Sequence, residues 1–162
     1  MKQEKMRLYL DDVRTPIAKD WVVVRTYDEF VSKIRLFGLD KFELISLDHD
    51  LGEQAMIEYY TNVKKTSVIN YENIINERTG YDAAKFLVSE SMSKGIPLPI
   101  IHIHSANPVG SGNIYGYIMN YLKNTKMPGA CMVAVSVPHT IDETLHMSPE
   151  ARKARWDRNV ED

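Results

Sequence analysis

Phe42-Glu43-Leu44-Ile45-Ser46-Leu47-Asp48-His49-Asp50 is the stretch on which the fold turns: a short apolar run that stops abruptly in acid. A run of this length, flanked by Gly38 and Gly52, suits a buried strand better than a helix. The same ending recurs twice. Met6 to Leu10 passes into Asp11-Asp12, and Ile100 to Ile103 into His104-Ser105. Open parallel sheets take their ligands outside the carboxyl ends of the strands. Three such ends, with four carboxylates between them, point to a cation and a phosphate.

Outward from these ends, strand and helix signals alternate. Trp21 to Arg25, with consecutive valines, reads as a buried strand, and no helix fits the Pro-containing link Val13 to Asp20 before it. Thr26 and Glu29 are spaced as a capping box ahead of Tyr27, Phe30, Val31 and Ile34, which share one helical face up to a stop at Gly38. Thr79 and Asp82 repeat that box before a helix through Tyr81, Ala84, Leu87 and Val88 to about Ser93. After the break from Gly95 to Pro99 come the strand Ile100 to His104 and a third amphipathic helix, with Ile114, Tyr117, Ile118, Tyr121 and Leu122, ending before Pro128-Gly129. Ala130 to Val137 is the last strand. Strands alternating with helices predict a doubly wound α/β domain with a five-stranded parallel sheet and no first helix.

The polar, tyrosine- and asparagine-rich stretch 53–78 stands out as an insertion, read as a long loop that either covers substrate or is a plain surface excursion, with Lys64-Lys65 a small basic patch. The domain is expected over 1–138. Residues 139–162 form a C-terminal extension with a short basic helix opened by Ser148, Pro149 and Glu150, and packing of that helix is favoured over contact with nucleic acid.

The whole chain has 162 residues, 44% of them hydrophobic, and a formal net charge of -2. This suits one ordinary globular domain and excludes a general polyanion binder. Cys131 is the only cysteine, so no internal disulfide forms and a buried inert thiol is expected. The start resembles no signal peptide and no run reaches membrane-spanning length, which reads as a cytoplasmic protein.

Asp11, Asp12, Asp48 and Asp50 concentrate negative charge that needs a cation, a proton or a basic side chain. Magnesium or manganese suits a set of carboxylates, although aspartates after strands also serve as turns and caps. Arg14 either pairs with these acids or clamps a phosphate. His102 reads as a hydrogen-bonded strand residue facing a covering helix, whereas His104, nearer the edge, suits a general acid or base. The turn Asn107 to Asn113 carries glycines and opens a helix, a geometry that admits a phosphate. Ser105 reads as a hydrogen-bond donor more than a nucleophile, because no Gly-x-Ser-x-Gly turn surrounds it.

These residues resemble response-regulator receiver domains: Asp11-Asp12 the acidic pair, Leu47-Asp48 the phosphoacceptor, Ser105-Ala106 the Ser/Thr-Ala position and Val137-Pro138 the Lys-Pro position. The resemblance implies a flavodoxin-like fold with strand order 2-1-3-4-5, and metal binding at Asp11, Asp12 and Asp48. Val137 in place of lysine and the missing first helix point away from phosphorelay signalling. Four blocks are more closely similar to the cyclic-phosphate processing receiver domain family: Leu8 to Pro16, Ser46 to Gly52, Thr79 to Ala84 and His104 to Gly110. Such domains occur in small phage and bacterial proteins.

That resemblance implies a metal-dependent phosphoesterase acting on a cyclic phosphate of a nucleotide or RNA end. Asp50 would activate water, His104 would protonate the leaving oxygen, and Ser105, Asn107, Gly110 and Arg14 would hold the phosphate. The alternative is a non-catalytic receiver-type module that binds a protein partner or a nucleotide.

Overall fold

The computed structural model describes residues 4–125, 133–135, 140–142 and 148–157. Its centre is a parallel five-stranded sheet. The strands are β1 (Met6–Leu10), β3 (Trp21–Val24), β4 (Phe42–Leu47), β5 (Ile100–Ile103) and β6 (Val133–Val135), in spatial order β3-β1-β4-β5-β6. Counting only these five, the order is 2-1-3-4-5, as the receiver resemblance implies. Between β1 and β3 there is no helix. The link instead holds β2 (Arg14–Pro16), which pairs antiparallel with β7 (Thr140–Asp142) and so ties the C-terminal extension to the acidic edge.

Three helices, α1 (Tyr27–Phe37), α4 (Gly80–Lys94) and α5 (Pro108–Asn124), pack as one layer. Phe30 and Ile34 of α1, Ala84 and Leu87 of α4, and Ile114 and Ile118 of α5 share one core with Leu8, Leu10, Ile45, Leu47, Ile101 and Ile103. Alternate strand residues must then project away from that layer. Arg7, Tyr9, Ser46 and His102 do so and lie outside this core, so the helix expected to cover His102 is on the other side of the sheet.

The capping boxes differ. At α4 both halves form, with Thr79 Oγ1 accepting from Tyr81 N and Asp82 Oδ2 accepting from Thr79 N. At α1 Thr26 caps Glu29 N, but the Glu29 carboxylate accepts from Arg25 N, one residue earlier than a box requires.

The insertion is not the loop expected. α2 (Glu53–Glu58) runs through a π-helical turn, Tyr59–Val63, into α3 (Lys64–Thr66), and a 3-10 turn follows at Tyr71–Asn73. Ala55, Val63, Ile69 and Ile74 form a small core of their own, against which Tyr59, Tyr71 and Val109 pack. Buried Glu58 replaces the missing solvent by accepting from Asn70 N at 3.0 Å and Asn73 Nδ2 at 2.8 Å. The C-terminal helix α6 (Pro149–Asp157) contacts α2, and Lys153 Nζ lies 3.3 Å from Glu53 Oε2. Among the described residues no helix is long and apolar enough to cross a membrane. The expectations for Cys131, Pro128-Gly129, Val137, Pro138 and the side chains of Arg152, Arg155, Trp156 and Arg158 lie outside the described residues.

Candidate functional site

The strand ends assemble as the sequence predicts. Asp48 N donates to Leu10 O at 3.0 Å and His104 N to Leu47 O at 2.9 Å, so the ladder continues one residue past β4 and β5 and fixes these positions side by side. One oxygen from each of Asp11, Asp12 and Asp48 falls within 4.8 Å of the others. All three are buried, at 0%, 5% and 3% exposure. Burial, followed by the charges of Asp11 and Asp12, pushes the Asp48 carboxyl well above its usual range.

Asp11 behaves oppositely. Burial pushes it up, but hydrogen bonding to His104 and the charge of Arg14 outweigh that and hold it below the usual range. Its Oδ1 accepts from Val13 N (2.9 Å) and Arg14 N (2.8 Å), an Asx turn that bends the chain out of β1. Its Oδ2 accepts from Arg14 Nε at 2.9 Å and lies 3.1 Å from His104 Nε2. Arg14 also reaches Asp48 Oδ1 at 3.3 Å, so its guanidinium bridges two of the acids while remaining 23% exposed. Arg25, which belongs to no motif and so escaped notice in the sequence, donates to Asp11 O (3.2 Å), Arg14 O (2.7 Å) and Thr15 Oγ1, and pins the whole turn.

The donor set fits a hard divalent ion. It offers converging carboxylates and more negative charge than one arginine neutralises. Both oxygens of Asp11 serve the turn, Arg14 and His104, while Asp48 Oδ1 accepts from His49 N at 2.8 Å and lies 3.3 Å from Arg14.

His104 is displaced from its expected role. It is 1% exposed, stacked on Tyr9 with centroids 4.2 Å apart, and its Nδ1 lies 2.7 Å from Ser46 Oγ. Burial lowers its pKa, and the Asp11 partnership offsets this only in part. Both nitrogens are engaged inside the protein, so the ring positions Asp11 instead of reaching a leaving group.

The phosphate-holding expectations also shift. Asn107 Oδ1 accepts from Gly110 N at 3.0 Å as the N-cap of α5, and Asn107 Nδ2 donates to Asp50 Oδ1 at 3.3 Å. These two residues therefore build the helix start, in place of the contact predicted for them. Ser105, half-buried beside them, accepts from Asn107 N at 3.1 Å through Oγ and keeps its O–H to donate.

His49 is the residue sequence reasoning passed over. Its ring is fully buried, with Nδ1 2.6 Å from Asp50 Oδ1 and Nε2 3.0 Å from the Tyr71 hydroxyl, which accepts from Asn113 Nδ2 at 3.1 Å. Because the asparagine amide can only donate, the tyrosine proton has His49 Nε2 as its acceptor, and the histidine proton then sits on Nδ1 facing Asp50. The insertion thereby reaches the site through Tyr71.

Glycines make room for this ring. A Cβ on Gly110 would lie 2.4 Å from His49 Cγ, and one on Gly80 would lie 1.8 Å from the Asp48 carbonyl oxygen. Gly80 N also donates to His49 O at 2.8 Å. At Gly52 a Cβ would meet the Glu77 carboxylate at 2.5 Å, the group that caps α2 by accepting from Gln54 N and Ala55 N. The glycines at 52, 80 and 110, each in a separate sequence block, thus serve close packing around one buried histidine and one helix start.

No curated protein and no solved structure matches the chain. The family model described as Cyclic-phosphate processing Receiver domain matches residues 6–120, from β1 through most of α5, a span that carries Asp11, Asp12, Arg14, Asp48, His49, Asp50, Tyr71, His104 and Asn107; the chain belongs to that family.

Proposed function

We propose that the chain is a metal-dependent phosphoesterase that opens a cyclic phosphate on a nucleotide or an RNA end. The observation that carries this reading is the convergence of Asp11, Asp12 and Asp48 within 4.8 Å, beside a partly exposed Arg14. The family's description supports the substrate class.

Asp12 and Asp48, with Asp11, would hold magnesium or manganese. When bound, such an ion neutralises phosphoryl charge and lowers the pKa of water. Arg14 would bind a phosphoryl oxygen from the rim of the site. Ser105 would donate its hydroxyl to a second oxygen. Asp50, oriented through Oδ1 by His49 and Asn107, would take a proton from the attacking water. The water oxygen bonds to phosphorus as one ring P–O bond breaks, and the proton taken up by Asp50 passes through solvent to the departing oxygen, leaving a monoester and a free hydroxyl. His104 would keep Asp11 in place and carry no proton in the reaction.

The engagement of both His104 nitrogens favours a second reading, a module that binds a nucleotide or partner without turnover. Purified protein incubated with magnesium or manganese and a panel of 2′,3′-cyclic nucleotides and RNA ending in 2′,3′-cyclic phosphate separates the two. Metal-dependent product by mass, absent in Asp48→Asn, is expected. Retained ligand with no product over many equivalents would overturn the enzyme in favour of the module.

A further inference from the structure

We infer that the apolar cleft beside Ser105 is a base-binding subsite, so that the substrate is a nucleoside cyclic phosphate recognised by its heterocycle and not a base-free ester. This rests on the phosphoesterase reading and extends it.

The cleft has a volume of about 510 Å³ and is lined by Ser105, Ala106, Pro108, Ser111, Gly112 and Tyr115. That size falls within the range of small-molecule sites. Ser105 belongs to it and also directly follows His104, which bonds Asp11. Ser105 Oγ also accepts from Asn107 N, whose side chain bonds Asp50, so the wall of the cleft is tied to the acidic strand ends. Tyr115 is 42% exposed, a large ring left open to solvent that offers a face for stacking.

Two further features agree with a ligand there. Ser111 is 5% exposed and its Oγ has no hydrogen-bond partner. Ser111 lines the cleft, so a base seated there would offer this hydroxyl a ring nitrogen or exocyclic group as a partner. Gly112 lies inside α5, where glycine is among the poorest helix formers. Its φ is not positive and a Cβ there would meet nothing within 4 Å. Neither backbone nor packing asks for glycine at this position, as is also true of Gly116 one turn on, and at Gly112 the missing side chain leaves the cleft wall low.

The test compares adenosine 2′,3′-cyclic phosphate with glycerol 1,2-cyclic phosphate, which has the same ring and no base, in wild type, Tyr115→Ala and Gly112→Leu. The leucine adds bulk at the cleft wall and is the better helix former. The adenosine ester should be turned over with kcat/KM roughly tenfold or more above the glycerol ester, and both variants should remove that advantage and leave the glycerol rate unchanged. Presenting the same adenosine at the end of a short RNA tells a free nucleotide from an RNA terminus. Equal rates for both esters, unaffected by the variants, would overturn the subsite and leave the phosphoesterase standing. If neither ester is turned over, equilibrium dialysis with adenosine decides: binding lost in Gly112→Leu supports the subsite without the reaction, and absence of binding overturns it.

Discussion

Burial and the charges of Asp11 and Asp12 raise the Asp48 carboxyl well above the usual carboxylate range. An acid raised on folding favours the fold while protonated, and that contribution is lost as pH climbs from the unfolded value, about 3.9, through the folded one. Near neutrality Asp48 therefore opposes folding. Asp48→Asn should raise the melting temperature without added metal by roughly 2–4 °C, equivalent to about 1 kcal/mol, and abolish the further rise that magnesium gives wild type. A scan in which the variant melts lower would contradict this. His104 behaves differently. Its replacement by alanine removes a stacked ring and leaves Asp11 and Ser46 short of a partner, a loss of about 3 kcal/mol in denaturant unfolding. An inactive His104→Ala protein consequently reports lost Asp11 geometry. The carboxylates were legible because an apolar run that stops in acid marks a buried strand reaching the sheet's edge, where ligands bind. His104 was misplaced because sequence marks a strand's end but not whether the next ring turns inward, here onto Tyr9.

At the level of elements, three glycines make opposite forecasts. Gly80→Ala drives a Cβ into the Asp48 backbone and should cost about 3 kcal/mol or more, with Gly110→Ala costing about 1–3 kcal/mol against the His49 ring. Gly112→Ala meets open space and should gain about 0.5–1 kcal/mol. Thermal melts of the three decide the matter, and a stabilised Gly80→Ala would sink it. The insertion carries its own pH dependence. Burial raises Glu58, but its bonds to Asn62, Asn70 and Asn73 outweigh this and hold it below the usual range. A carboxyl depressed on folding stabilises above its unfolded value, about 4.3, and that contribution fades as pH falls through the folded one. Protection of the Asn70 amide from hydrogen exchange should therefore drop below about pH 4, and Glu58→Gln should remove the pH dependence. The α1, α4 and α5 elements were readable from 3.6-residue spacing. The insertion was not, since the π turn at Tyr59–Val63 shifts the phase between Ala55 and Val63 and the buried acid looks like loop polarity.

Across the whole molecule, the acidic site draws on distant parts of the chain. Its floor is the sheet, its flank is the insertion through Tyr71, and its first turn is held by β2 against β7. A chain ending at residue 138 should keep the parallel sheet, because β6 closes it, yet lose protection of the Thr15 amide in hydrogen exchange. Unchanged protection there would show that Arg25 alone pins the turn. The parallel sheet was legible from alternation and its strand order from the receiver resemblance, but this pairing was not, because three-residue strands leave no periodicity to detect. The β2–β7 pair also has a meaning in time. A ribosome adds about 5–20 residues per second, so the partner of residues 14–16 is made on the order of ten seconds after them. Through that interval the nascent chain carries its acids without the brace that closes their turn, and the site becomes whole only as synthesis reaches residue 142.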